Sequence, residues 1–277
     1  MKIAFYGKGG IGKSTIAANV SAVYAASGKK VLHIGCDPKS DSTRLLTFGQ
    51  IPTVLEMVEK KGDSLRKEDI LFQGKNGVYC LESGGPQAGI GCAGLGISAA
   101  VKELERLGVL SQPWDLIVYD VLGDVVCGGF SVPMRKHYVD KVMIVTSADY
   151  MSLYAANNIL QGAIRYSDEN HCLVAGIAIN HIKTEEEVKI GALFSEYTRV
   201  PVVATLQESR EMRISDYQDQ LFTELFPNGQ NTAQIYHLLS EIMNEKRQTD
   251  LAGCVQGMSK ETLERFRNEI FEKGWIG

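Results

Sequence analysis

The chain carries one segment whose residue types and spacing spell out a phosphate cradle. Gly7-Lys8-Gly9-Gly10-Ile11-Gly12-Lys13-Ser14 fits G-x-x-x-x-G-K-[ST], and Thr15 follows directly. Glycines let backbone N–H groups turn inward onto phosphate oxygens, and a helix opening after the loop adds its positive N-terminal end. In this pattern Lys13 reaches the β- and γ-phosphates and the Ser14 hydroxyl binds Mg²⁺. Lys8 marks the deviant form of the loop, in which a second cation reaches across a dimer interface to the neighbour's nucleotide. Asp120 ends an apolar run, Leu116–Tyr119, and is placed to hold Mg²⁺ through water. Cys36-Asp37-Pro38-Lys39-Ser40-Asp41 follows another such run. There Asp37 and Asp41 are candidates for orienting an attacking water or sensing the metal, and Lys39 for meeting phosphate. The competing reading of this segment is a turn with helix-capping aspartates.

Two cysteines form a second constellation. Cys92 lies in Gly89-Ile90-Gly91-Cys92-Ala93-Gly94, and Cys127 in Gly123-Asp124-Val125-Val126-Cys127-Gly128-Gly129. Small neighbours allow backbone N–H groups close to an inorganic sulfide. A 4Fe–4S cluster takes about four cysteine ligands, and a two-fold homodimer supplies them from two per subunit. Cys127 is seven residues beyond Asp120, with Asp124 between them, so a short segment links the metal carboxylate to the cluster loop. A change at the γ-phosphate is then felt at the cluster. Cys36, Cys80, Cys172 and Cys254 read as structural thiols.

The elements that must position these groups follow from periodicity. Ile3–Tyr6, Val31–Cys36, Val78–Glu82, Leu116–Tyr119, Val142–Thr146, Val174–Ile179 and Val202–Ala204 are strand candidates. Ser14–Ser27, with Ile16, Val20 and Val23 on one face, Val54–Lys60, Ser98–Leu107 and Tyr150–Tyr166 are helix candidates. Strands apolar throughout and alternating with helices predict an α/β fold, a doubly wound and mostly parallel sheet of the P-loop NTPase type. Residues 1–277 read as a single domain whose end, about 229–277, is helical through Thr232–Lys246 and Ser259–Lys273, packed outside the domain or on a partner.

The chain has 277 residues, 44% apolar and 22% charged, with a net charge of −4. That balance argues against a nucleic-acid or membrane-surface binder, both of which need a basic footprint. No apolar stretch is long enough to span a bilayer, and the first ten residues read as a buried strand rather than a signal peptide. A cytoplasmic location is expected, where six cysteines are not paired as disulfides.

Tyr6–Thr15, Gly35–Thr43, Glu82–Pro86, Gly91–Gly94, Tyr119–Phe130 and Tyr154–Ile159 together resemble the nitrogenase iron protein (dinitrogenase reductase) family, densely over residues 1–180. The resemblance implies a homodimer with one ATP per subunit and one bridging 4Fe–4S cluster. ATP binding and hydrolysis would gate one-electron transfer to a larger catalytic metalloprotein, with a ferredoxin or flavodoxin as upstream donor. It places Cys92 and Cys127 as cluster ligands, Lys13, Ser14, Asp120 and Asp124 at nucleotide and switch positions, and Asn180 on the adenine. The family's Pro-Arg-Asp at the base pocket is Leu206-Gln207-Glu208 here, with Glu208 standing in for the aspartate. The family's docking arginine after the first ligand is Leu95 here. That favours the nitrogenase-like reductases, which serve other partners, over nitrogenase itself. Two other classes share the loop and the dimer. Partitioning ATPases need no cluster cysteines, and iron–sulfur scaffold ATPases typically use a Cys-x-x-Cys pair that this sequence lacks.

Overall fold

Runs of β-branched and aliphatic residues with no polar alternation must be covered on both faces, and the chain does this with one eight-stranded sheet. The computed structural model describes residues 1–85, 93–122, 134, 138–167, 172–244, 246 and 250–276. The strands are β1 (Lys2–Tyr6), β2 (Val31–Cys36), β3 (Phe72–Gln73), β4 (Tyr79–Glu82), β5 (Leu116–Val121), β6 (Lys141–Thr146), β7 (Val174–Ile182) and β8 (Val202–Gln207). Their order is β3-β4-β2-β5-β1-β6-β7-β8, and all neighbours are parallel except the short antiparallel pair β3–β4. The fold is therefore the doubly wound α/β type that the strand pattern predicts. Chain order reverses around β1, whose neighbours are β5 and β6, and ligands bind at the carboxyl ends of strands beside such a reversal.

Successive side chains of each strand feed opposite cores. Ala4 and Tyr6 of β1 pack on one side with α3 (Ala93–Arg106), α4 (Tyr150–Ile164) and α5 (Glu185–Thr198), while Ile3 and Phe5 pack on the other with α1 (Lys13–Ala26) and α8 (Gln230–Met243). Ile16, Val20 and Val23 are buried as predicted, yet so are Ala17, Ala18, Asn19, Ser21 and Ala22. Helix α1 is enclosed because α8 lies over its outer side, and because Asn19 Oδ1 accepts from the Thr223 N–H (3.1 Å) and hydroxyl (2.8 Å). Its C-terminal stop is Gly28, which takes the left-handed φ of +83° that favours glycine.

Several boundaries differ from the sequence reading. α3 begins at Ala93 rather than at residue 98, and β7 and β8 each run three residues further. α5 and α6 (Arg210–Tyr217), the short α2 (Val54–Lys61) aside, were not expected elements, although Thr184 and Glu187 form a capping box at the start of α5. The helical end of the chain packs on its own domain. α8 covers α1 and β8, and α9 (Lys260–Glu272) inserts Phe266 against Phe194 and Tyr197 of α5 at ring-centroid separations of 5.9 and 5.5 Å. The segment between them is pinned by Asn157 of α4, whose Nδ2 donates to the Met258 carbonyl at 3.0 Å and whose Oδ1 accepts from the Met258 N–H at 2.7 Å. Among the described residues no helix is long and apolar enough to cross a membrane.

Candidate nucleotide site

The loop after β1 is shaped by what crowds it. A Cβ on Gly7 would strike the Val145 carbonyl of β6, and one on Gly12 would strike the Asn180 amide. Gly10 and Gly12 adopt φ of +78° and +84°, the left-handed region where a side chain is strained. Gly12 precedes α1 with no side chain capping the helix, so the first-turn N–H groups remain available to a ligand.

This loop floors a cleft of about 550 Å³ at the carboxyl edge of the sheet. Lys8, Gly9, Gly10, Ile11, Gly12, Lys13, Ser14 and Thr15 line it, joined by Asp37, Lys39 and Asp41 after β2, Asn180 of β7 and Glu208 after β8. The structure thus brings these sequence-predicted residues, from four separate segments, into one concavity of a size that suits a nucleotide. Gly7 supports the loop from beneath rather than lining the cleft. Asp37 is a turn former, its Oδ1 accepting from the Lys39 N–H at 2.9 Å, and neither it nor Asp41 caps a helix, since the next one begins at Val54.

Beneath the loop lies a buried polar chain. Asp120, fully buried at the end of β5, is paired with Lys13 Nζ and accepts from the Ser42 hydroxyl at 2.5 Å. Burial alone would raise its carboxyl. The Lys13 ammonium and hydrogen bonds from Lys13 and Ser14 outweigh burial and hold it below the usual carboxylate range. An ionised carboxylate and a serine hydroxyl are the hard oxygen donors that Mg²⁺ takes, so Asp120 and Ser14 fit that ion. Asn180 fits a nucleobase in the same sense. Its Nδ2 donates to the Ile11 carbonyl at 2.9 Å, which leaves its Oδ1 buried and without a partner.

Of the other groups in and around the cleft, the sequence singled out Glu208 as a site residue but not Arg44, Glu82 or His33. Arg44 lines it and is paired with Asp216 at 2.6 Å and with Asp219, which bridges the loop after β2 to α6. Glu208 is paired with Lys183 at 3.2 Å, and that hydrogen bond and charge hold its carboxyl below the ordinary range. Glu82, at the end of β4, accepts from the Thr43 N–H (2.7 Å) and hydroxyl (2.8 Å), and its burial raises its carboxyl to about 7. His33 carried no motif signal and Ser42 only as part of Gly35–Thr43, though a histidine inside the otherwise apolar β2 is a polar group that must be satisfied.

The cysteines expected to hold a cluster, Cys92 and Cys127, and Asp124 lie outside the described residues, while Leu95 lies in α3. The remaining cysteines divide. Burial pushes the Cys36 and Cys80 thiols up to about 12 and also raises Cys172, which suits inert packing groups and not thiolate ligands. Cys254 is exposed, so it is no core thiol as the sequence suggested. Among the described residues no group of three or more His, Cys, Asp or Glu side chains is placed to hold a metal ion.

Comparison with known proteins adds to this geometry. A family model described as 4Fe-4S iron sulfur cluster binding proteins, NifH/frxC family, matches residues 1–271. The chain is 44% identical over 250 residues to a nitrogenase iron protein of Methanococcus voltae, covering 90% of each. It is 41% identical over 273 residues to nitrogenase iron protein 2 of Methanothermobacter thermautotrophicus, covering 99% of each. Among solved structures, the septum site-determining protein MinD complexed with Mg-ADP from Pyrococcus horikoshii superposes with a TM-score of 0.69 at 18% identity, over 88% of this chain and 96% of that one. At that identity the likeness concerns the fold alone.

Proposed function

The chain belongs to the NifH/frxC family of 4Fe-4S iron sulfur cluster binding proteins, and from that premise we propose that it is a single-domain subunit of a homodimeric, ATP-dependent one-electron donor to a larger catalytic metalloprotein. The observation that carries the reading is the meeting of the phosphate loop, Asp37, Asp41 and Asn180 in one cleft beside Asp120. When bound, the cluster supplies reversible one-electron chemistry. The work of this chain's own residues is to bind the nucleotide and to transmit its state.

The sheet order supports that transmission. Cys92 follows β4 and Cys127 follows β5, and β2, which bears Asp37 and Asp41 at its end, lies between those two strands. Both cysteine loops therefore leave the same edge of the sheet, from strands about 10 Å apart. Leu122, the residue that follows β5, already lines the nucleotide cleft on the way to Asp124 and Cys127. Cys92 and Cys127 of two subunits would hold one 4Fe–4S cluster, with Lys8 reaching the neighbour's nucleotide. Ser14 and Asp120 would hold Mg²⁺, and Lys13, Lys39, Asn180 and Glu208 the nucleotide.

Leu95 carries the finer reading. An apolar side chain stands where relatives that dock on nitrogenase place a cation, which favours a nitrogenase-like partner. A ferredoxin or flavodoxin is the proposed upstream donor.

The test is anaerobic purification followed by iron and sulfide analysis, and electron paramagnetic resonance after dithionite reduction with and without MgATP. About four irons per dimer and a reduced-cluster signal that changes with MgATP are expected. A protein free of iron after attempted reconstitution would return the chain to the partitioning or scaffold ATPases.

A further inference from the structure

β2 is apolar apart from one residue. Val31, Leu32 and Ile34 are fully buried, and so is His33 between them, on the side of the sheet covered by α1. A buried imidazole is costly unless both ring nitrogens are satisfied, and both are. Nδ1 lies 2.9 Å from the Ser21 hydroxyl of α1, and Nε2 lies 2.9 Å from the Ser42 hydroxyl. Ser42 in turn lies 2.5 Å from Asp120 Oδ2, and Asp120 Oδ1 is paired with Lys13. Ser21, His33, Ser42, Asp120 and Lys13 thus form one chain from the middle of α1 to the phosphate loop, with no member more than 7% exposed.

Proton inventory fixes its direction. An ionised Asp120 only accepts, so the single Ser42 proton lies toward Oδ2. The Ser42 oxygen is then an acceptor toward His33, and Nε2 must carry a proton. In a neutral ring Nδ1 is left as an acceptor, which the Ser21 hydroxyl satisfies. That hydroxyl is also 2.9 Å from the Ala17 carbonyl and can turn to either partner.

We propose that His33 is a positioning residue for the magnesium carboxylate: its Nε2–H donates to Ser42 and thereby commits the Ser42 proton to Asp120. The inference rests on the nucleotide reading above. Its consequence appears when nucleotide binds. Lys13 turns to the phosphates and gives up Asp120 Oδ1, and the Ser42–His33 arm then remains to hold the carboxylate in place. Without that arm Ser42 is free to rotate, and Asp120 can follow a departing Lys13 or swing away from the ion. His33 touches neither phosphate nor metal and acts only through Ser42.

The experiment uses the full-length protein, prepared anaerobically, and compares the wild type with His33→Leu, His33→Gln, Ser42→Ala and the Leu/Ala double variant. ADP affinity is measured by calorimetry in Mg²⁺ and in EDTA. Thermal melts follow folding, and long-range ¹H–¹⁵N spectra of the histidine rings report the tautomer. His33→Leu and Ser42→Ala are expected to weaken MgADP binding about tenfold, the scale of one hydrogen bond to a charged group, with affinity in EDTA unchanged. His33→Gln, which can present an N–H near the Nε2 position, should recover most of the loss. The double variant should be no worse than either single one, and the wild-type ring should show the neutral Nε2–H pattern. Unchanged MgADP binding in His33→Leu, equal loss in Leu and Gln, or an Nδ1–H ring would overturn the role of His33 while leaving the nucleotide site standing. If His33→Leu does not fold, unchanged MgADP binding in Ser42→Ala overturns it equally. A wild type whose ADP affinity ignores Mg²⁺ would overturn the magnesium role of Asp120 and this inference with it, and a wild type that binds no ADP would overturn the nucleotide reading itself.

Discussion

Lys13 and Asp120 neutralise each other beneath the phosphate loop, one 7% exposed and the other fully buried. Removing one member of a buried ion pair leaves an uncompensated charge, which typically costs about 3–5 kcal/mol. Lys13→Met is therefore expected to destabilise the nucleotide-free protein by about 3 kcal/mol, beyond its effect on phosphate binding. Adding Asp120→Asn should restore part of that loss. Urea denaturation of the two variants, without nucleotide, measures both.

Glu82 makes stability depend on pH. Its folded-state carboxyl lies at about 7, above the ordinary value of 4.5, because burial disfavours the charged form. A raised value means that the folded state holds the proton more tightly. The contribution is complete below pH 4.5 and is lost as pH rises through about 7. Glu82→Gln keeps an acceptor for Thr43 without the charge. It should be more stable than wild type at pH 8, by up to about 3 kcal/mol, with the difference vanishing near pH 5. Equal pH profiles of the two proteins would remove Glu82 as the cause.

Cysteine exchange separates ligands from packing groups. Cys92→Ser and Cys127→Ser should each abolish the visible absorbance of the cluster and leave ATP binding largely intact. Cys36→Ala, Cys80→Ala and Cys172→Ala should keep the absorbance, since those thiols are buried and held protonated. Retained cluster in Cys127→Ser would sink its assignment as a ligand.

Asn180 lines the cleft, and its Oδ1 is buried without a partner. An adenine amino group can donate to it, whereas the guanine carbonyl at the same ring position cannot. Asn180→Ala should lose about tenfold in ATP affinity, the scale of leaving a donor unpaired, and should narrow the preference for ATP over GTP. Competition binding with the two nucleotides reads this directly.

The segment leading into the C-terminal helix is held in part by one side chain. Asn157 satisfies both backbone groups of Met258, and Asn157→Ala leaves the buried N–H unpaired and the carbonyl with Gln161 Nε2 alone. A loss of about 2 kcal/mol and faster amide exchange over 259–272 are expected, with little change around β1.

The parallel strands were legible because burial on both faces demands apolar runs, as in Leu116–Tyr119 and Val142–Thr146, which the structure extends to Leu116–Val121 and Lys141–Thr146. The phosphate loop was legible because glycine, lysine and serine are each required there for a separate physical reason. α5 was missed although Thr184 and Glu187 cap it and Ile190, Leu193, Phe194 and Tyr197 recur at helical spacing, so its signal was present in the sequence. His33 was invisible for another reason, and Glu82 was seen only as the first residue of Glu82–Pro86, without a role. A single polar residue in an apolar strand looks like a tolerated exception until its partners, Ser42 and Thr43, arrive from a distant loop. Arg44 is legible only once α6 is folded opposite it.

At the edge of the sheet beyond β4, only two residues, Phe72 and Gln73, run against the direction of the other strands. So brief a reversed strand offers almost no row of free amides for another chain to copy. Polymerisation by strand addition is blocked at that end, and a second subunit is steered away from it. At the opposite edge the Thr205 and Gln207 amides of β8 are taken by the Gln234 and Asn231 side chains of α8, so that row is blunted as well.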